Sequence, residues 1–334
     1  MKKLMKILLC VAAGCVGMGC AALILGIVLG KSTGALSRDG ASIWIEPAGY
    51  WKNIYWNIRG VADGFKKGFD WDDLDEEDED EKDVDYVQGE AAVTKDPAIT
   101  VEDGQRVFKV GADKVQGLEI DLRHGYLEVE ESEDDHIYVS WSEKKADCIQ
   151  AACNSGNLLI QDMRQGRDAR KDVEIYVSIP KKKRFGQMKL QLDAGELELD
   201  VPLHADLMKL TADAGIITAE ELTSDNLDVS VGAGGIEISD GSFGKAKLNC
   251  GVGTIELEGS IQSDARAECG MGTIDLDLDK DLDAYNYVLN CGVGSIEIGD
   301  SSYSALSKEK RIDNGADATF MLKCGMGTIA MEGR

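Results

Sequence analysis

The chain has 334 residues, a formal net charge of −25 and a pI near 4.5. Nucleic-acid binders need a basic footprint, so that class is excluded. Gly is abundant at 38, Pro scarce at 4, and aromatics are 6% of the chain, a balance that suits short strands joined by glycine turns better than a helical bundle.

Lys2, Lys3 and Lys6 precede an uncharged run from Ile7 to Gly30. A helix needs about 20 apolar residues to cross a bilayer core, and this run is long enough. Lysines before it and acidic sequence after it predict a single-pass anchor over 1–30 in the lipid bilayer of the cell membrane. The N-terminus is then cytoplasmic and the C-terminal domain extracellular. A cleaved signal peptide would have a shorter apolar stretch. A lipidated Cys15 is a rival, but the run continues well past that residue, so the expectation is an uncleaved signal anchor.

Residues 31–90 read as a juxtamembrane amphipathic segment followed by an acidic linker. Trp51, Tyr55, Ile58, Ala62, Phe65 and Phe69 fall on one helical stripe, which fits either a helix in the membrane interface or a cap on the following domain. Asp70 to Asp85 is nearly all carboxylate; such like charges repel, so an extended spacer is expected.

Residues 91–334 carry a repeat. Gly195, Gly215, Gly234, Gly253, Gly272, Gly294 and Gly327 are spaced by 20, 19, 19, 19, 22 and 33. Before each, positions −7, −5 and −3 are mostly apolar, as in Leu227, Val229 and Val231. After each, +2 and +4 are apolar, as in Ile236 and Ile238. Both sets alternate with period two, which is one face of a strand. The step from −3 to +2 is odd, so the chain must turn a corner there, and glycine supplies the unusual backbone angles. A coil of about 19 residues cannot bury its own apolar face and must stack on neighbours. The fold class is therefore all-β: a single-stranded β-solenoid, parallel β-helix-like, with an N-terminal transmembrane helix. A β-sandwich explains the alternation but not the fixed spacing. Gly125 and Gly156 show the same +2 and +4 offsets, which extends the coils toward the start of the domain.

The sequence resembles the bacterial β-strand-repeat family of unknown function labelled "putative adhesin". The resemblance rests on Val173 to Pro180, on Leu192-Asp193-Ala194-Gly195-Glu196-Leu197-Glu198-Leu199 and on the recurring Gly-x-Ile-x-Leu or Ile units, over roughly Gly117 to Gly333. It implies a membrane-associated or exported solenoid, common in Gram-positive bacteria, and no established activity.

Candidate sites follow from the columns. Glu237, Glu256, Asp275 and Glu297 share position +3 and would stack as an outward carboxylate ladder, a weak calcium site if a cation relieves their repulsion. Lys189, Lys209, Lys247 and Arg266 share position −6 with Asp228, a mostly basic stripe. Cys250, Cys269, Cys291 and Cys324 share −3 and would form an inward ladder. They replace Ala212 and Val231 of other coils, so core filling is favoured over a metal or redox site. The pairing of Cys148 with Cys153 stays open. The long last interval places an excursion near Ser301 to Asp317 whose Lys308, Lys310 and Arg311 are partner-binding candidates. The chain stops just after its last repeat, so self-association through a C-terminal solenoid edge is expected. No zincin motif, nucleophile elbow or phosphate loop appears, and no cofactor is implied. The expected function is non-catalytic: an extracytoplasmic envelope interaction or structural module with a protein partner in the cell envelope, one route being modulation of envelope-stress signalling. A surface adhesin for host or glycan ligands is the alternative, and a carbohydrate-active enzyme comes last.

Overall fold

The structure, a computed structural model, describes residues 99–334 apart from 146, 165–172 and 306–308. The expected anchor at 1–30, the segments at 31–90 and Lys308 lie outside the described residues. Among those described, no helix is long and apolar enough to cross a membrane.

The described chain is built of strands: β1 Ile99–Glu102, β2 Gln105–Gly111, β3 Gly117–Glu131, β4 His136–Ser142, β5 Ile149–Asn154, β6 Asn157–Asp162, β7 Glu174–Ile179, β8 Arg184–Leu199, β9 Leu203–Ala212, β10 Ile216–Ala219, β11 Leu222–Val231, β12 Gly235–Cys250, β13 Thr254–Ile261, β14 Ala265–Cys269, β15 Thr273–Leu278, β16 Tyr285–Cys291, β17 Ser295–Ile298, β18 Ser301–Ser304, β19 Lys310–Ile312, β20 Ala318–Cys324 and β21 Thr328–Gly333.

These strands form a solenoid-like stack. Each coil contributes one strand segment before the glycine corner and one after it, and both pair in parallel with the next coil. Before the corner, Leu190, Leu210, Val229, Leu248, Ala267, Leu322 and Leu289 lie in register. After it, Leu197, Ile217, Ile236, Ile255, Ile274, Ile329 and Ile296 do the same. All of these are buried between the two faces. Parallel register across a constant period excludes the sandwich, which would require antiparallel hairpins.

The corner glycines are required by crowding more than by backbone angle. Only Gly125 and Gly195 of this column have positive φ, at 147° and 110°. At the later corners each glycine lies against the backbone of its neighbour in the stack. A Cβ on Gly234 would sit 2.9 Å from the nitrogen of Gly215 and closer still to its oxygen. The column thus marks a close backbone approach.

Three expectations are corrected. The coils do not stack in chain order. β14 pairs with β20, and β20 with β16; β15 pairs with β21, and β21 with β17. The last coil in sequence therefore lies between the two that precede it and is not the outer edge. The described strands of the excursion cover an edge: β18 runs antiparallel on β17 and β19 antiparallel on β16. At the other end only β3 and the β6–β7 level continue the parallel stack, while β5 covers β6 antiparallel and β4, β2 and β1 extend from β7 antiparallel. Gly156 is the tip of the β5–β6 hairpin, with Ser155 at φ 49° and Gly156 at φ 86°; Leu158 and Ile160 accordingly align with Leu118 and Ile120, ahead of the corner. Short antiparallel strands at both ends shield what would otherwise be long parallel edges.

Candidate functional site

The post-corner sheet presents carboxylates outward. Glu237, Glu256 and Asp275 are neighbours in register, and all three are exposed. Two residues along, Glu258, Asp277 and Glu332 form a second row. The inserted coil changes the ladder expected from the sequence. Ala330 stands between Asp275 and Glu297, so Glu297 is two levels from Asp275. Among the described residues none of these carboxylates has an ion pair with Lys or Arg. No group of three or more His, Cys, Asp or Glu among the described residues is placed to hold a metal ion. Toward the start of the stack the same column is tied down by a phenol: Tyr126 donates to Glu198 at 2.5 Å and lies 3.0 Å from Glu128. Those carboxylates, with Glu198 first, push the Tyr126 phenol strongly upward.

An apolar ridge borders this sheet. At the corner, the residue between the two glycines points outward, and Met271, Met326 and Val293 follow one another on successive levels at 37%, 38% and 68% exposure. Beside them Thr273, Thr328 and Ser295 form a hydroxyl row, with Ser295 donating to Thr328 at 3.3 Å.

The cysteines lie beneath the same corner, in the spatial order Cys250, Cys269, Cys324, Cys291. All are buried. Cys250, Cys291 and Cys324 donate to the carbonyls of Gly253, Gly294 and Gly327 at 3.0, 3.2 and 3.1 Å. The thiol contact with Cys250 pushes Cys269 up to about 12, and burial pushes Cys291 up to about 11. The contact with Cys269 also raises Cys324, whereas the hydrogen bond with Cys269 holds Cys250 below its ordinary value. The three thiols held protonated are poor nucleophiles and poor metal ligands, which fits a packing role for them.

The pre-corner sheet is mixed and largely self-compensated. Lys189 pairs with Glu119 at 3.0 Å and Lys209 with Asp228 at 3.7 Å, while Arg266 and Lys323 reach Glu268 at 2.7 and 3.8 Å. Lys310 and Arg311 lie in the edge cover β19, away from the acidic rows. Lys310 stands over the Tyr303 ring at 4.2 Å, and Arg311 pairs with Glu309 at 2.7 Å. The sequence did not single out Asp162 and Arg164, a buried pair at the corner of the β6–β7 level. Arg164 donates to Asp162 through Nε at 2.8 Å and also to the His124 carbonyl. This pair fills a corner where the glycine column has ended.

The sequence profile of the Toastrack DUF4097 family matches residues 115–308. No curated protein matches. Solved structures similar to this chain include a "putative cell adhesion protein" from Clostridium sporogenes, 14% identical, covering 69% of this chain and 99% of its own, with a TM-score of 0.33. A "putative lipid binding protein" from Parabacteroides distasonis is 14% identical, with 69% and 94% covered and a TM-score of 0.38. A "putative adhesin" from Parabacteroides merdae is 12% identical, with 70% and 95% covered and a TM-score of 0.39.

Proposed function

This chain belongs to the Toastrack DUF4097 family, and we propose that it is a non-catalytic interaction module that docks a basic protein partner on its acidic sheet. In this reading the anchor at 1–30 holds the domain outside the cell membrane, and the acidic linker sets its distance from it. The observation that carries the reading is the double carboxylate row Glu237–Glu256–Asp275 and Glu258–Asp277–Glu332, which no cation of the described chain neutralises. Stacked like charges on a rigid sheet concentrate negative potential, which steers a basic partner and disfavours an anionic one. The adjoining Met271–Met326–Val293 ridge supplies the apolar contact area that a charged patch lacks. A partner in the cell envelope, a stress sensor among the possibilities, is the class that such a membrane-tethered surface would meet first.

The test is in-cell crosslinking of the full chain followed by mass spectrometry, with a Glu237→Lys, Glu256→Lys, Asp275→Lys variant alongside. The reading expects an envelope protein with a basic surface, captured by the parent chain and at least tenfold less by the variant. Equal capture by both would refute the acidic-sheet assignment. Capture of nothing from the envelope, together with binding of the domain to external glycans or host proteins, would favour the adhesin.

A further inference from the structure

The stack contains a slot one coil wide that is filled by the end of the chain. After β15, residues 279–284 carry the chain past one level before β16 begins, so β14–β15 and β16–β17 stand two levels apart. The C-terminal coil β20–β21 fills that gap and is in register on both sides. Phe320, Leu322 and Cys324 pair with Ala265, Ala267 and Cys269 on one flank and with Tyr287, Leu289 and Cys291 on the other. Ile329 and Met331 lie between Ile274 and Leu276 on one side and Ile296 and Ile298 on the other. This coil lies beyond the family-matched span, which ends at residue 308.

We infer that this slot is an interaction site for a second copy of the chain, which fills it with its own C-terminal coil in a reciprocal exchange. Two observations carry this. The slot is defined by backbone pairing and by matched apolar columns, so the same segment from another copy satisfies every contact that the chain's own segment makes. Its tether, residues 299–317, is far longer than the link from Ile238 to Gly241 that makes an equivalent connection elsewhere in the stack. At about 3.3 Å per residue the tether reaches about 60 Å when extended. Its described residues are held by two short pairings, β18 on β17 and β19 on β16, and by hydrogen bonds of Asn314 and Ala316 with Asn286 and Tyr285 near the start of β16. It also contains Ala305 at φ 49°, a conformation disfavoured for a residue with a side chain and released on opening. Exchange of an identical element costs no new contacts, which makes it a low-cost route to a dimer.

Two populations of the full chain bearing different affinity tags are prepared in detergent. They are mixed either folded, or unfolded together in guanidinium and refolded. Tag capture and light scattering read the outcome. The co-refolded sample should contain a species of twice the chain mass that carries both tags and persists on dilution, and simple mixing should give at least tenfold less of it. A variant ending at Asp317 can accept a coil but donate none, so it should pair with the full chain and not with itself. Single-tag monomers under both regimes would overturn the inference. Self-pairing of the shortened variant as strong as that of the full chain would also overturn it, because association would then use another surface. Should the shortened variant not fold, the co-refolding comparison decides alone.

Discussion

Gly234 and Gly235 are adjacent in sequence, yet alanine should have opposite effects at the two positions. At Gly234 a Cβ would lie 2.9 Å from the nitrogen and 3.0 Å from the carbonyl carbon of Gly215. Relief requires the level to move away, which strains the bonds from Gly235 N to Gly215 O at 2.9 Å and from Ala233 N to Asp213 O at 2.7 Å. Two hydrogen bonds at about 0.5–1.5 kcal/mol each, plus overpacking at about 1–3 kcal/mol, give about 2–6 kcal/mol of destabilisation for Gly234→Ala. At Gly235 the nearest atom is the Thr254 oxygen at 3.9 Å, and φ is not positive. Gly235→Ala removes a strand glycine and should stabilise by about 0.5–1 kcal/mol. Guanidinium unfolding of the full chain, followed by circular dichroism, measures both. Hydrogen exchange at the flanking amides accompanies it, because stacked repeats can open piecewise. Equal midpoints for the two variants, or Gly234→Ala within about 0.5 kcal/mol of the parent, would refute the close-approach argument.

The inserted coil should be sensitive inside and tolerant outside. Phe320→Ala, at a side chain fully buried against Tyr285 with ring centroids 4.3 Å apart, should cost about 3–5 kcal/mol. Met321→Ala, at a side chain 36% exposed, should stay within about 0.5 kcal/mol of the parent in the same unfolding assay. The thiols of Cys269 and Cys291, raised to about 12 and 11, should resist iodoacetamide at pH 8 in the folded chain and react in denaturant. Rapid native labelling seen by mass spectrometry would contradict their packing role. Burial raises Asp193, and burial with Glu198 and Glu128 raises Asp200. A carboxyl whose folded value is raised favours the folded state below its ordinary 3.8, and that contribution is lost as pH rises through the folded value. The unfolding midpoint of the parent should therefore fall less on mild acidification than that of an Asp193→Asn, Asp200→Asn double variant. Burial also raises Tyr285 above its ordinary 10.0, so stability should start to fall with alkalinity near that value, and Tyr285→Phe should blunt the loss.

The columns were legible because each coil repeats the same demand: apolar residues inward on both sides of a glycine. Val229, Leu248 and Ile255 sit where the spacing put them. Coil order was not legible. Every in-phase coil offers neighbours the same surfaces, and Ala265 accepts Phe320 as readily as it would accept Tyr287. The spacings of 22 and 33 marked where regularity broke, but not that the first break skips a level and the second covers an edge. That order also moved Glu297 away from Asp275. The role of glycine was misjudged for a related reason, since contact with the next coil is invisible within one coil. Gly156 was assigned by its offsets, although Asn154-Ser155-Gly156-Asn157 is hairpin-turn chemistry. Asp162 and Arg164 gave no signal, being two residues apart in an irregular stretch.

The measurement that tests coil order most directly uses the cysteine column itself. In-register neighbours on parallel strands stand about 4.8 Å apart, within disulfide reach, whereas thiols two levels apart are not. Prolonged oxidation of the folded chain, followed by peptide mapping under non-reducing conditions, should recover Cys269 linked to Cys324 and Cys324 linked to Cys291. Recovery of Cys269 linked to Cys291 would mean that the coils stack in chain order and that the inserted coil, and the split carboxylate ladder it produces, are wrong.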